Sequence, residues 1–187
     1  MRAWYVLAVS VTLLAGCGAS PSPIPPRSTV PAAVSPAVTA AAGPADNARQ
    51  VWCEIGEAHI RTTIVPAPDD VAVGPLVWQG LRTWATADPS KFGENDDYKL
   101  GATVKAGATV TVAVAPDARA FAGLSYGQRW QYSPVDAVTF QACDNSDTVF
   151  IGGFHVVGRR CVPFDIRVGD DPPTRVVVSF FTGKDCP

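Results

Sequence analysis

Gly123-Leu124-Ser125-Tyr126-Gly127 has the form G-x-S-x-G. Its chemistry would be acyl transfer: a serine raised on a tight turn loses its proton to a histidine that an acid orients. His155 follows in the matching order, with Asp136, Asp144 or Asp147 between them as the acid. The motif works where a strand ends in a turn and a helix begins on a parallel sheet. Here the residues from Gln128 to Pro134 are aromatic and end in proline, with no amphipathic helix. Ser125 therefore reads as a strand serine between glycines. A serine hydrolase using Ser125 and His155 is the alternative reading. His59 and His155 are the only histidines. Proton transfer needs an identifiable partner, and without one each reads as a structural or surface residue. Asp144, Asn145 and Asp147 could offer oxygens to a hard cation. Calcium takes about six to eight ligands, and this run lacks the glycine and distal glutamate of an EF-hand, so a turn is expected. No CxxC or Cys/His pair has zinc-ligand spacing. A metal-binding envelope protein is thus a third reading that the chain supports poorly, and no metal or cofactor is expected.

Five cysteines are present: Cys17, Cys53, Cys143, Cys161 and Cys186. Cys17 ends a stretch of its own. Arg2 supplies a positive start, Ala3 to Leu14 is apolar, and Ala15 and Gly16 are small, which is the layout of a secretory signal. The run is shorter than the roughly 20 apolar residues that a membrane span needs. Leu14-Ala15-Gly16-Cys17 resembles the lipobox of bacterial lipoproteins. The resemblance implies cleavage after residue 16 and a lipid on Cys17, so that the chain is anchored on the extracytoplasmic face of the cell membrane. Four cysteines then remain, an even count that in an exported chain reads as two disulfides with three possible connectivities. The preferred pairing joins Cys143 to Cys161 across neighbouring strands and ties Cys53, at the start of the domain, to Cys186 at its end.

The elements that must position these groups follow from patterning. Residues 18–49 are rich in Ala, Pro, Ser and Thr and lack aromatics, so they cannot build a core and read as a disordered tether. From residue 50 apolar and polar residues alternate with period two, the signature of strands. Val51 to Ile55 opens the series, continued by Ile60 to Ile64. Val71 to Trp78 reads as an irregular strand broken at Gly74-Pro75, Leu81 to Ala85 as a helical turn, and Asp88 to Asp97 as a loop. Leu100 to Val104 and Val110 to Val114 read as a hairpin about Gly107. Further strands are expected at Ala120 to Tyr126, Arg129 to Tyr132 and Val138 to Ala142. Val149 to Val157 reads as a strand with a bulge at Gly152-Gly153, and Val162 to Val168 and Arg175 to Phe181 flank a turn. Short strands with turn signals about every ten residues predict an all-β fold: a single antiparallel β-sandwich of the immunoglobulin-like kind over residues 50–187.

The pieces Gly74-Pro75-Leu76-Val77, Gly80-Leu81-Arg82, Tyr98-Lys99-Leu100 before Val110-Thr111-Val112, Ala142-Cys143, Phe150-Ile151-Gly152-Gly153-Phe154, Arg160-Cys161-Val162-Pro163 and Cys186 together resemble a group of uncharacterised actinobacterial secreted proteins and lipoproteins. The likeness covers about residues 70 to 187. It implies an exported domain with paired cysteines and carries over no activity.

The net charge of −2, with no basic cluster beyond Arg159-Arg160, argues against nucleic acid as a partner. Most of the aromatics Trp78, Trp84, Tyr126, Trp130 and Tyr132 should be core in a sandwich. The expected binding surface is the segment from Gly123 to Tyr132, with Tyr126, Trp130 and Tyr132 as its contacts. The reading is a non-catalytic binding or structural module whose partner is another envelope protein, a wall glycan or a small ligand.

Overall fold

The computed structural model describes residues 47–53, 63–127 and 133–187. The expectations placed on residues 1–46, including Cys17 and most of the tether, on His59, on residues 60–62 of the expected Ile60 to Ile64 strand and on the Arg129 to Tyr132 strand with Trp130 and Tyr132 lie outside the described residues; Thr63 and Ile64 are described and are not strand.

Thirteen strands are described: β1 (Arg49–Trp52), β2 (Val71–Val73), β3 (Leu76–Trp78), β4 (Gly93–Glu94), β5 (Asp97–Lys99), β6 (Ala102–Val104), β7 (Thr109–Val114), β8 (Ala122–Leu124), β9 (Ala137–Gln141), β10 (Thr148–Phe150), β11 (Gly153–Val156), β12 (Arg160–Val168) and β13 (Thr174–Phe180). They form a five-stranded sheet β1-β9-β7-β12-β13 and two four-stranded sheets, β10-β6-β3-β2 and β4-β5-β11-β8. The fold is all-β, with short 3-10 turns at Leu81–Ala85, as the sequence predicts, and at Pro89–Lys91. Pairing is antiparallel except that β1 runs parallel to β9.

Alternation explains the central strands. Val110, Val112 and Val114 of β7 are buried, while Thr111 turns to the other face and meets Thr139 of β9 through their hydroxyls at 2.8 Å. Val162, Phe164 and Ile166 of β12 are likewise buried. Pro163 is tolerated in this central strand because pairing with β7 starts only at Phe164. Its carbonyl accepts from Ala115 N, so the missing N–H would have pointed to the same side, where the Ala115 carbonyl is already satisfied by Ala118 N. The three sheets share one core. Trp78 of β3, Phe154 of β11 and Phe164 of β12 lie 5.4, 6.0 and 5.6 Å apart, centroid to centroid, in mutual contact.

Several elements depart from expectation. Val71 to Trp78 is a tight hairpin in which Val73 faces Leu76, and Gly74 takes a positive φ of 54° in its turn. The expected hairpin about Gly107 does not exist. β6 pairs with β3 and β10, whereas β7 pairs with β9 and β12, so the Lys105–Ala108 turn carries the chain from one sheet to another. The turn is held by the loop after β9: Gly107 N donates to the Cys143 carbonyl at 2.8 Å and Ala106 N to Asp147 Oδ1 at 3.0 Å. Nor is Gly152-Gly153 a bulge. It marks the passage from β10 to β11, in different sheets, at a point where backbones nearly touch. A Cβ on Gly152 would run into the Tyr126 ring, and one on Gly153 into the Tyr98 carbonyl.

The disulfides are Cys53–Cys143 and Cys161–Cys186, with Cα separations of 5.1 and 5.9 Å. They correct the preferred pairing of Cys143 with Cys161 and Cys53 with Cys186. Cys143 follows β9 and Cys161 lies on β12, and β7 stands between them. Two strand spacings amount to about 10 Å, beyond the roughly 7 Å that a disulfide tolerates. The parallel register of β1 on β9 brings Cys53 to Cys143 instead, with Cys53 N donating to the Gln141 carbonyl at 3.0 Å.

Candidate functional site

The outer face of the sheet β4-β5-β11-β8 gathers the residues with chemical potential. Tyr98 and Phe154 point inward and are buried, so their neighbours Asp97, Lys99 and His155 face outward with Gly153. Leu124 and Tyr126 are buried in the same way, which turns Gly123 and Ser125 outward. Register then fixes the rows, because residues directly opposite share a face. His155 stands between Asp97 and Gly123. Gly153 stands between Lys99 and Ser125, and Ser125 N donates to the Gly153 carbonyl at 3.0 Å.

Asp97 and His155 are hydrogen-bonded, Oδ1 to Nδ1 at 2.9 Å, at a partly exposed position. Asp97 is therefore the acid beside the histidine, in place of the expected Asp136, Asp144 or Asp147. Asp136 lies 3.6 Å from Arg119 Nε. Asp147 accepts from the backbone amides of Ile64 and Ala106, which makes it a loop clamp. Asp144 and Asn145 lie in the turn that the sequence predicts. No hydrogen bond joins Ser125 to His155. The Ser125 hydroxyl is buried and has no hydrogen-bond partner among the described residues. Pro134 lies over Gly123, its Cβ 2.7 Å from where a Cβ on that glycine would be. The face holds a serine, a histidine and an aspartate without the contact that general-base activation requires.

Two shallow grooves flank Pro134. One, of about 200 Å³, is lined by Asp97, Lys99, Ser125, Pro134 and the Gly152-Gly153 backbone, among others. The other, of about 260 Å³, is lined by His155, Arg119, Asp136, Phe121, Val157 and again Pro134. Arg49 fixes the approach to this region by donating to the carbonyls of Tyr126 (3.2 Å) and Ser133 (2.9 Å). A larger opening of about 700 Å³ is lined by Trp52, Cys53, Gln141 and Asp144 to Ser146, among others.

Tyr126 does not belong to a binding surface. Its ring is fully buried against Phe140 and Phe154, at 5.0 and 5.9 Å, and its hydroxyl donates to the Leu100 carbonyl at 2.8 Å while accepting from Trp78 Nε1 at 3.1 Å. Alternation is the reason: Tyr126 shares the inner face with Leu124. Burial pushes its phenol well above the ordinary range, opposed in part by the Trp78 hydrogen bond. Burial also raises the Tyr98 phenol, with Asp96 adding to the effect. Among the described residues no group of three or more His, Cys, Asp or Glu is placed to hold a metal ion.

The sequence carried no signal for Asp97, which stands 58 residues before His155; only sheet pairing joins them. Gly152-Gly153, by contrast, was visible as a feature, although for another reason. No protein-family model matches this chain, and neither a curated protein nor a solved structure does so.

Proposed function

We propose that this chain is a lipid-anchored extracytoplasmic envelope protein that acts by binding and not by catalysis, its domain an immunoglobulin-like antiparallel sandwich. The observation that carries the reading is the division of the five cysteines. Four are paired in two disulfides, which persist in oxidising compartments. The fifth, Cys17, ends the lipobox-like Leu14-Ala15-Gly16-Cys17. Two or more acyl chains make such an anchor durable, since one alone holds only marginally. The partner is a component of the envelope, with the outer face of β4-β5-β11-β8 as the contact surface. Catalysis by Ser125 is disfavoured because no described residue hydrogen-bonds its hydroxyl.

Fractionation after metabolic labelling with an alkyne fatty acid tests the anchor. The full chain is expected in the membrane fraction, labelled, and the Cys17→Ala form released and unlabelled. An unlabelled full chain in the soluble fraction would sink the proposal. In the same preparation a fluorophosphonate probe should leave the folded protein unmodified; labelling that disappears in Ser125→Ala would replace binding by serine hydrolysis.

A further inference from the structure

β13 (Thr174–Phe180) lies at an edge of the five-stranded sheet, where among the described strands it pairs with β12 alone. The other strands at sheet edges are short: β1 has four residues, β2, β8 and β10 three each, and β4 two, against seven in β13. A short edge offers little to pair with, and a long one is ordinarily guarded by a proline, a bulge or an outward charge. β13 has none of these. Its register against β12 is unbroken from Thr174 to Phe180. Its one charge, Arg175, is folded back on Asp165 of β12, Nε to Oδ1 at 2.8 Å and Nη2 to Oδ2 at 2.9 Å. The direction of the free backbone groups follows from Pro163, which stands opposite Val177 but turns its carbonyl away from β13, to Ala115 N. The N–H and C=O of one residue share a side of the strand, so this is a non-hydrogen-bonded pair, and those of Val177 and Arg175 point out of the sheet. Among the described residues nothing hydrogen-bonds them. Val177 is 39% exposed, and Thr174 and Arg175 are exposed as well. The edge closes only at Phe181, whose N–H donates to the Trp84 carbonyl at 3.1 Å.

We propose that this edge is the interface between two copies of the chain, which pair β13 with β13 antiparallel about Val176 and join their five-stranded sheets into one. Val176 then faces its own counterpart, while Arg175 of each copy faces Val177 of the other and exchanges both backbone hydrogen bonds with it. Thr174 faces Val178, so the cross-strand neighbours are almost all β-branched, which suits a pleated surface. The ends of the strand select this register. Sliding it one way sets Arg175 against Arg175, two like charges, and Val177 against Pro173, which has no N–H to give. Sliding it the other way sets Pro173 against Phe181, whose N–H the Trp84 carbonyl already holds. Only the pairing about Val176 opposes each outward residue with one that can answer it and keeps the two Arg175–Asp165 pairs apart. The pairing goes beyond the envelope reading and does not depend on the anchor at Cys17.

The test is disulfide trapping of the full chain in intact cells that produce it, read by non-reducing electrophoresis. Val176→Cys sets two thiols opposite each other in a non-hydrogen-bonded pair, where the Cα separation of about 4.5 Å lies within disulfide reach. A covalent dimer that reduction dissolves is expected from Val176→Cys, and none from Val65→Cys, which is 82% exposed but far from this edge in sequence. Adding Val177→Pro removes an outward N–H that makes no bond to β12, so the domain should still fold while trapping slows by about tenfold or more. Val177→Lys, which brings a second cation against Arg175 of the other copy, should slow trapping in the same direction and decides the matter if the proline form does not fold. Absence of a dimer from Val176→Cys overturns the proposal, as does a dimer that forms equally fast in Val65→Cys. Trapping that is unchanged in the folded Val177 variants overturns it too. Capture of a different protein by Val176→Cys, in place of a second copy, overturns the assignment of the occupant.

Discussion

Tyr126 shows how a single side chain changes meaning once its surroundings are known. In the sequence it stands beside Ser125 in a motif with catalytic form; in the fold its hydroxyl closes a buried hydrogen-bond pair with Trp78 and Leu100. Its raised ionisation has a direct consequence for alkaline stability. The unfolded phenol ionises near 10, whereas the folded one keeps its proton to higher pH. Above about pH 10 the unfolded state therefore binds fewer protons than the folded state, and stability falls as pH rises. The contribution is fully present below that pH. The slope from this group approaches roughly 1.4 kcal/mol per pH unit. Urea titrations between pH 9 and 12 (roughly one to two units either side of the free phenol's range) should show the decline, shallower in Tyr126→Phe. An equal slope in that variant would mean that other groups cause it. The substitution should also cost about 1 to 3 kcal/mol at neutral pH, because the Leu100 carbonyl and Trp78 Nε1 lose their partner.

Among the elements, the 3-10 turn at Leu81–Ala85 depends on a residue well outside it. Asp70 Oδ1 accepts from Gly80 N at 2.7 Å and Oδ2 from Ala67 N at 2.8 Å, while Arg82 Nε donates to the Asp70 carbonyl at 2.8 Å. This buried carboxylate thereby fixes the loop before β2 to the turn after β3. The turn in turn presents Trp84, which stacks on Phe181 at 5.6 Å. Phe181 adopts a positive φ of 58°, unusual for a bulky residue, and its N–H donates to the Trp84 carbonyl at 3.1 Å. Asp70→Ala should destabilise the domain by about 2 to 4 kcal/mol, the loss of two charge-assisted hydrogen bonds between a buried carboxylate and partly buried backbone amides. Asp70→Asn should recover about half by keeping one acceptor. A urea midpoint for Asp70→Ala within error of the parent would show that the clamp is dispensable. The reach of the Asp70 carboxylate to Gly80 is not legible in the sequence, because only hairpin β2-β3 brings the two together.

For the whole molecule, the two disulfides close loops of very different length, 90 and 25 residues of separation. Chain-entropy reasoning assigns about 4 to 5 kcal/mol to the longer and about 3 to 4 kcal/mol to the shorter. The Cys53→Ala/Cys143→Ala double variant should therefore be the less stable of the two paired variants in urea unfolding under non-reducing conditions. The reverse order would show that the bridge at the C-terminal end does more than restrict the unfolded chain. The longer bridge also secures β1, which among the described strands pairs with β9 alone.

Period-two alternation, the even cysteine count left by Cys17, the turn at Leu81–Ala85 and the final hairpin β12-β13 were readable from the chain itself. Each is local: pleating sets the faces of a strand, and a short turn ties neighbours in sequence. Which strand lies beside which is not local. At Lys105–Ala108 and again at Ile151-Gly152 the chain leaves one sheet for another, although the residue pattern on either side looks like an ordinary hairpin or bulge. Those two passages decide that β7 separates Cys143 from Cys161 and that His155 lies between Asp97 and Gly123. The choice of neighbours depends on burying the inner faces of three sheets around Trp78, Phe154 and Phe164 at once. That free energy belongs to the assembled core, so the disulfide pattern and the polar face over Pro134 exist only in the tertiary structure.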